Sequence, residues 1–249
     1  MRYRIVPVKN VSRLKAAGDA LIQRAPGMPG MGMIWGPTGY GKTTATTWFV
    51  NQCHGVYVRA MAMWSPKTML GAIARELDLP DCHKRNNSEL VEGIVQRLTE
   101  GGRPIFLDEA DYVIEKHQLT NTLRDIHDLS TVPVILIGMH GIEKRIKGNE
   151  QLTGRIAQWV AFEGLDMDDA ELLATVLAEV TILPDLLTAL HGEASPKGGG
   201  AEVRRLVVGL SNIEGYARAR GMDAIGLSDW PKGRSFFLGT PVQTNGGAR

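Results

Sequence analysis

The chain has 249 residues, 43% of them apolar and 22% charged, with a formal net charge of +1. That length and composition suit one α/β domain, or a core with a small second domain, and supply enough apolar surface for a sizeable core in a soluble protein. There is no global basic excess, no apolar run near about 18 residues and no apolar signal core in the first residues, so a uniformly basic nucleic-acid binder, a transmembrane helix and a secretory leader are not expected.

Residues 8–24 read as a helix with Val11, Leu14, Leu21 and Ile22 as its apolar face. A Pro/Gly/Met linker over 25–32 leads into an apolar strand at 31–35. That strand ends at Gly36-Pro37-Thr38-Gly39-Tyr40-Gly41-Lys42-Thr43, which fits G-x-x-x-x-G-K-[ST], the phosphate-binding loop of nucleotide hydrolases. The fixed glycines, helped by Gly39, let the backbone aim its N–H groups at phosphate oxygens. Lys42 reaches the β- and γ-phosphates of ATP, and the Thr43 hydroxyl binds Mg²⁺. The helix that follows, with Thr44 in its first turn and Trp48, Phe49 and Val50 further on, presents its positive end to the same phosphates.

Residues 55–62, rich in valine, tyrosine and methionine, read as a second strand. Ser65-Pro66 starts a helix, with serine as N-cap and proline in the first turn, whose face carries Leu70, Ile73 and Leu77. Residues 81–87 form a polar loop. Ser88 then caps a helix with the stripe Leu90, Val91, Ile94, Val95 and Leu98. The only cysteines, Cys53 and Cys82, argue against a disulfide scaffold and for a reducing, cytoplasmic setting. Each is followed by a histidine, at a spacing that fits no zinc-ligand pattern.

Further strands are expected at 104–107, 132–137 and 159–162, with a helix across Leu119, Leu123, Ile126 and Leu129 between the first two. Strands alternating with helices predict an α/β fold, a five-stranded parallel sheet covered on both faces. After Gly164 the pattern changes to three helices without strands, at 168–180, 184–190 and 201–220. The expected organisation is an N-terminal helical segment (1–25), a nucleotide-binding core (26–165), a helical lid (166–222) and an aperiodic tail (223–249).

Ile105-Phe106-Leu107-Asp108-Glu109 is an apolar strand ending in two acids. An aspartate there holds the Mg²⁺ that Thr43 also binds, and the glutamate after it polarises the attacking water. Asp108-Glu109-Ala110-Asp111 also spells a helicase tetrapeptide, but such helicases need a second motor domain that this length does not accommodate.

With the acids two strands beyond the phosphate loop, and one more strand before the helical segment, the chain resembles the AAA+ ATPases. That resemblance implies a polar sensor at the tip of the fourth strand. Gly138-Met139-His140 stands there, so Met139 takes the usual polar place and His140 is the substitute. It also implies an arginine acting on a neighbouring subunit's γ-phosphate. Leu152-Thr153-Gly154-Arg155-Ile156 resembles that segment, which makes Arg155 the candidate and Arg145 the reserve. Glu202-Val203-Arg204-Arg205-Leu206 resembles the second sensor, with Arg204 near the γ-phosphate and Arg205 as the alternative.

Within AAA+ proteins the chain resembles the transposition regulators related to phage Mu transposition protein B (MuB) and the transposon protein TnsC. The short core-plus-lid plan carries this resemblance, with Leu107-Asp108-Glu109-Ala110-Asp111, the run from Ile137 to Ile146, and Trp159-Val160-Ala161-Phe162-Glu163. The resemblance implies an ATP-dependent homo-oligomer, a ring or filament on duplex DNA without strong sequence preference, which recruits and stimulates a transposase. It points to His83-Lys84-Arg85-Asn86-Asn87 as the DNA-contacting loop, with Lys84 and Arg85 on backbone phosphates and Lys67 as a weaker candidate. The tail mixes Trp230, Lys232, Arg234, Phe236 and Phe237 and is expected to be disordered or to dock on a partner. A helicase loader and a protein-only nucleotide switch are the alternative readings.

Overall fold

The computed structural model describes residues 1–2, 4–195 and 199–237. It comprises two compact units, Asn10–Glu163 and a second made of Met1–Lys9 with Gly164 onward. No helix among the described residues is long and apolar enough to cross a membrane.

The first unit is built on a parallel sheet of five strands: β1 (Met31–Gly36), β2 (Val56–Arg59), β3 (Ile105–Asp108), β4 (Val134–Met139) and β5 (Ile156–Ala161), in the order β2-β3-β4-β1-β5. Helix α1 (Lys9–Ile22) precedes β1; parallel strands need crossovers, and the later helices supply them: α2 (Lys42–Cys53), α3 (Pro66–Glu76), α4 (Asn87–Gly101), α5 (Asp111–Ile114), α6 (His117–Ser130), α7 (Ile142–Lys147) and α8 (Glu150–Thr153). Both faces of the sheet are covered, so the strands read as continuous apolar runs. Period-two alternation sorts them. Ile105, Leu107, Val134 and Leu136 join the core under α3, α4 and α6. Phe106 points the other way, where its ring meets Phe49 of α2 edge-on at 5.9 Å. Phe49 in turn lies where a Cβ on Gly18 of α1 would stand, so that glycine is required for the helix to approach α2.

Local signals explain most boundaries and correct others. Ser65 accepts from the Thr68 N–H and caps α3, with Pro66 at its first position, as expected. The cap of α4 is Asn86, not Ser88. The Asn86 side chain accepts from Glu89 N at 3.0 Å and the Glu89 carboxylate accepts from Asn86 N at 2.7 Å, closing a capping box two residues earlier. Strand β2 stops at Arg59, short of residue 62. Ala60 makes the last bond to β3, and a turn closed by Trp64 N to Met61 O leaves Met61 and Met63 exposed. On α6 the buried stripe runs Leu119, Leu123, Ile126 and Ser130, and Leu129 is 63% exposed because it falls off that face.

The second unit holds α9 (Met167–Leu177), α10 (Pro184–Ala194) and α11 (Val203–Arg218). It is not purely helical. Strands β6 (Thr181–Ile182) and β7 (Ala224–Ile225) pair in parallel, each too short for alternation to register in the sequence. The tail, as far as it is described, is packed. Trp230 and Phe236 are each 5% exposed and stack at 5.2 Å, and Trp230 meets Tyr216 of α11 at 5.1 Å. Asn212 donates to the Phe236 carbonyl at 2.8 Å. Aromatic burial without a helical period accounts for the aperiodic sequence; residues 238–249 lie outside the described set.

Replacing Trp230 by Ala removes this packing and is expected to destabilise the second unit by about 3–5 kcal/mol. Urea unfolding measures it; a change below about 0.5 kcal/mol, typical of surface sites, would mean the segment is not packed.

Candidate nucleotide site

The loop between β1 and α2 lies at the carboxyl end of β1, an interior strand of the sheet, where ligands of open α/β sheets bind. Gly36, Gly39 and Gly41 all have positive φ (155°, 87° and 86°). At Gly36 a side chain is excluded twice over, since a Cβ would also collide with the carbonyl oxygen of Phe162. Gly41 occupies the N-cap of α2 and has no side chain to cap it. The first N–H groups of the helix therefore face the loop without an intrahelical partner, an arrangement suited to an anion. Pro37 and Thr38 form the exposed crest, Tyr40 is half-buried, and Thr43 and Thr44 are exposed in the first turn.

Lys42 folds back over the loop. Its ammonium donates to the carbonyls of Gly36 at 2.6 Å and Pro37 at 2.8 Å. Burial lowers its pKa, against the pull of Asp108, Glu109 and Asp111. A cation held by neutral carbonyls and drawn by three acids is poised to take phosphate oxygens instead.

Asp108, at the tip of β3, is 3% exposed and is the hub of the site. Its Oδ2 accepts from the Thr43 hydroxyl at 2.9 Å and from the Tyr57 phenol at 2.7 Å, and its Oδ1 accepts from Glu109 N at 2.9 Å. The next residue, Glu109, has φ +54°, a strained backbone for a non-glycine residue. Its carboxylate pairs with Arg59 at 3.1 Å. The structure thus brings the loop threonine and both acids together.

Asp111 is buried and accepts from Met139 N at 2.8 Å, which ties α5 to the tip of β4. Arg145 spans Asp111 at 3.3 Å and Glu115 at 2.7 Å. Met139 is in register with Gly36, and its sulfur lies 4.0 Å from the Thr38 hydroxyl; His140, one residue on, is exposed. The residue beside the loop is therefore methionine. Arg155 immediately precedes β5 and grips Asp128 of α6 through Nε and one Nη, at 2.7 and 2.6 Å, while donating to Gln151 O at 2.6 Å. That grip raises the arginine's pKa and lowers the aspartate's. Arg204 is exposed on the first turn of α11, and Arg205 lies over the Phe237 ring at 4.3 Å. In the polar loop, Lys84 pairs with Asp81 at 2.8 Å and Arg85 donates to Pro80 O at 3.2 Å. Lys67 reaches across to the Arg85 carbonyl.

Nucleotide and Mg²⁺ fit these residues. The loop offers N–H groups and a lysine, and the Thr43–Asp108 pair offers oxygen donors only, the donor set that Mg²⁺ prefers. Tyr57 and Arg59 were not singled out as site residues by sequence. Only the pairing of Tyr57 with Phe106 and Arg59 with Asp108 places them here, and strand order leaves no local signal.

Comparison with known proteins agrees on the fold. Residues 27–146, just under half of the chain, match a family model described as AAA domain. The ORC1 protein of Aeropyrum pernix in complex with DNA is 18% identical, with TM-score 0.61 over 87% of this chain and 61% of that one. CDC6P from Pyrobaculum aerophilum is also 18% identical, with TM-score 0.63 over 86% and 62%. Drosophila ORC bound to DNA is 12% identical, with TM-score 0.54 over 90% and 66%. This chain thus spans less than two thirds of the length of each. No curated protein matches it in sequence. The fold is the AAA+ P-loop α/β fold, with its five-stranded parallel sheet.

Burial first, and then the bond to Asp108, push the Tyr57 phenol well above the ordinary tyrosine range. A raised pKa in the folded state means this contribution to stability is complete below about pH 10 and is lost as pH rises beyond it. In a spectrophotometric titration of the folded protein, one of the five tyrosines should ionise after the others. Tyr57→Phe should remove that late step; a wild-type protein in which every tyrosine titrates near pH 10 would contradict the bond.

Proposed function

We propose that this chain is an ATP-hydrolysing, DNA-binding AAA+ protein that works as a homo-oligomer. The observation that carries the reading is the junction of Lys42 and Thr43, after β1, with Asp108 at the end of β3 and Glu109 beside it. Gly36, Pro37, Thr38, Gly39, Tyr40, Gly41 and Thr44 complete the phosphate cradle. Thr43 and Asp108 would hold Mg²⁺, which would neutralise phosphate charge when bound. Glu109 orients the attacking water and accepts its proton through the carboxylate that Arg59 now engages. Arg155, released from Asp128, reaches a neighbour's nucleotide, and Arg204 serves its own. Met139 leaves the first sensor without a hydrogen-bonding group, so His140 takes that role only if the tip of β4 moves.

The DNA partner is supported by the fold likeness to an ORC1 protein and an ORC that were solved with DNA. Lys84, Arg85 and Lys67 are the contacts read from sequence. The sequence resemblance to the MuB and TnsC regulators favours target-DNA selection and recruitment of a transposase. The second reading, a loader that engages a helicase, is equally compatible with the AAA+ fold shared with ORC1 and CDC6P. Both require ATP-dependent binding of DNA.

Lys42→Ala should abolish nucleotide binding, and Glu109→Gln should bind ATP yet accumulate in the ATP- and DNA-bound state. Titration with a fluorescent ATP analogue reads the first, and anisotropy of random-sequence duplex with ATP, with ADP and without nucleotide reads the second. Normal ATP affinity in Lys42→Ala would sink the loop assignment, and no DNA binding in any state would leave a protein-only switch.

Arg155→Ala should keep nucleotide affinity while lowering the hydrolysis rate by about 10³-fold, the low end of what a transition-state arginine supplies. A wild-type rate in that variant removes Arg155 from the chemistry.

A further inference from the structure

The sequence readings place the DNA-contacting charge in the loop around Lys84. In the structure that charge is already engaged. Lys84 has Asp81, Arg85 has the Pro80 carbonyl, and Lys67 has the Arg85 carbonyl. The uncompensated charge lies elsewhere. Residues 203–249 contain seven lysines and arginines against Glu214, Asp223 and Asp229, a balance of +4 in a chain whose total is +1.

Within this segment the cations divide by partner. Arg218 is neutralised by Glu179 and by buried Glu214. Arg220, Lys232 and Arg234 are exposed and make no ion pair among the described residues, and the residues outside that set include no Asp or Glu. The two arginines are held by rings instead, and Arg220 also donates through one Nη to the Tyr216 carbonyl at 3.5 Å, which engages one of its five N–H donors. Arg220 sits 3.6 Å from the Tyr216 centroid and Arg234 sits 5.3 Å from the same centroid, so at most 8.9 Å separates them. Arg234 also lies 5.1 Å from the Trp230 ring. The rings are fixed from below, because Trp230 is buried between Tyr216 and Phe236.

Stacking on a ring attracts a guanidinium through its face and leaves its edge N–H donors directed outward. Two such forks at close range repel each other in the absence of an anion. Bidentate phosphate contacts satisfy the donors and remove the repulsion. A duplex backbone, with a negative charge every ~1.7 Å of axis, presents phosphates at that separation.

We propose that Arg220 and Arg234, with Lys232 beside them, form a phosphate-contacting surface of the second unit that binds the DNA backbone independently of sequence. This rests on the DNA-binding reading given above. The aromatic cluster is its platform, not a base-stacking device, since Trp230 is buried.

The test is the salt dependence of binding to random-sequence duplex by the full chain with ATP, between about 50 and 200 mM salt. Arg220→Gln/Arg234→Gln should lower the slope of log K against log salt by about 2 and weaken binding about 10–100-fold near 0.1 M. Arg220→Lys/Arg234→Lys keeps the charge and should keep the slope. If the glutamine pair melts early, Lys232→Gln, whose side chain is exposed, should still lower the slope by about 1. Wild-type binding with an unchanged slope in folded Gln variants overturns this surface and leaves the DNA reading standing. A wild-type protein that binds no DNA in any nucleotide state overturns both.

Discussion

A single buried carboxylate organises the first unit. Asp108 is almost fully withdrawn from water, and an ionised carboxylate there is tolerated only when hydrogen bonds replace its hydration. Three donors do so: a threonine from the phosphate loop, a tyrosine from the edge strand and the backbone of the following glutamate. The loop follows β1, while the carboxylate ends β3, two places away, with β4 between. The bond from Thr43 therefore fixes how far the loop leans across the sheet. Lys42 then lies among acids, with its own ammonium anchored on the loop's carbonyls.

Much of this was legible in the sequence, for identifiable reasons. The five strands lie near their expected positions because apolar runs in a doubly covered sheet are long and uninterrupted. The loop motif was legible because its glycines answer a backbone need, three positive φ values in six residues. What escaped was set by pairing in space. Tyr57 looks like any strand tyrosine until β2 is laid beside β3. Asp111 reads as part of a tetrapeptide until its carboxylate meets the backbone of Met139. Asn86 and Ser88 are equally good caps on paper, and only the reciprocal bond with Glu89 chooses between them.

The second unit shows how a short segment without periodicity can still be structured. Its α11 supplies Tyr216 and Asn212, and the following segment answers with Trp230 and Phe236. Large aromatic side chains bury much area per residue, so two of them fasten a segment that has neither helix nor strand period. The β6–β7 pair works in the same way at the backbone level. A ladder of two residues on each side joins the end of α9 to the chain after α11. A periodicity argument is blind to both, because each uses isolated residues rather than a repeating face.

The backbone of Glu109 has a consequence for sequence tolerance. A left-handed conformation costs a residue with a Cβ about 1–2 kcal/mol, and glycine or asparagine adopts it more easily. Judged by folding alone, glutamate is a poor choice at this position, and a library selected only for thermal stability should drift away from it. A library selected for turnover should hold the glutamate and collect its compensating substitutions elsewhere. The two selections would separate at this one residue, although it makes no core contact and lies on no helix or strand.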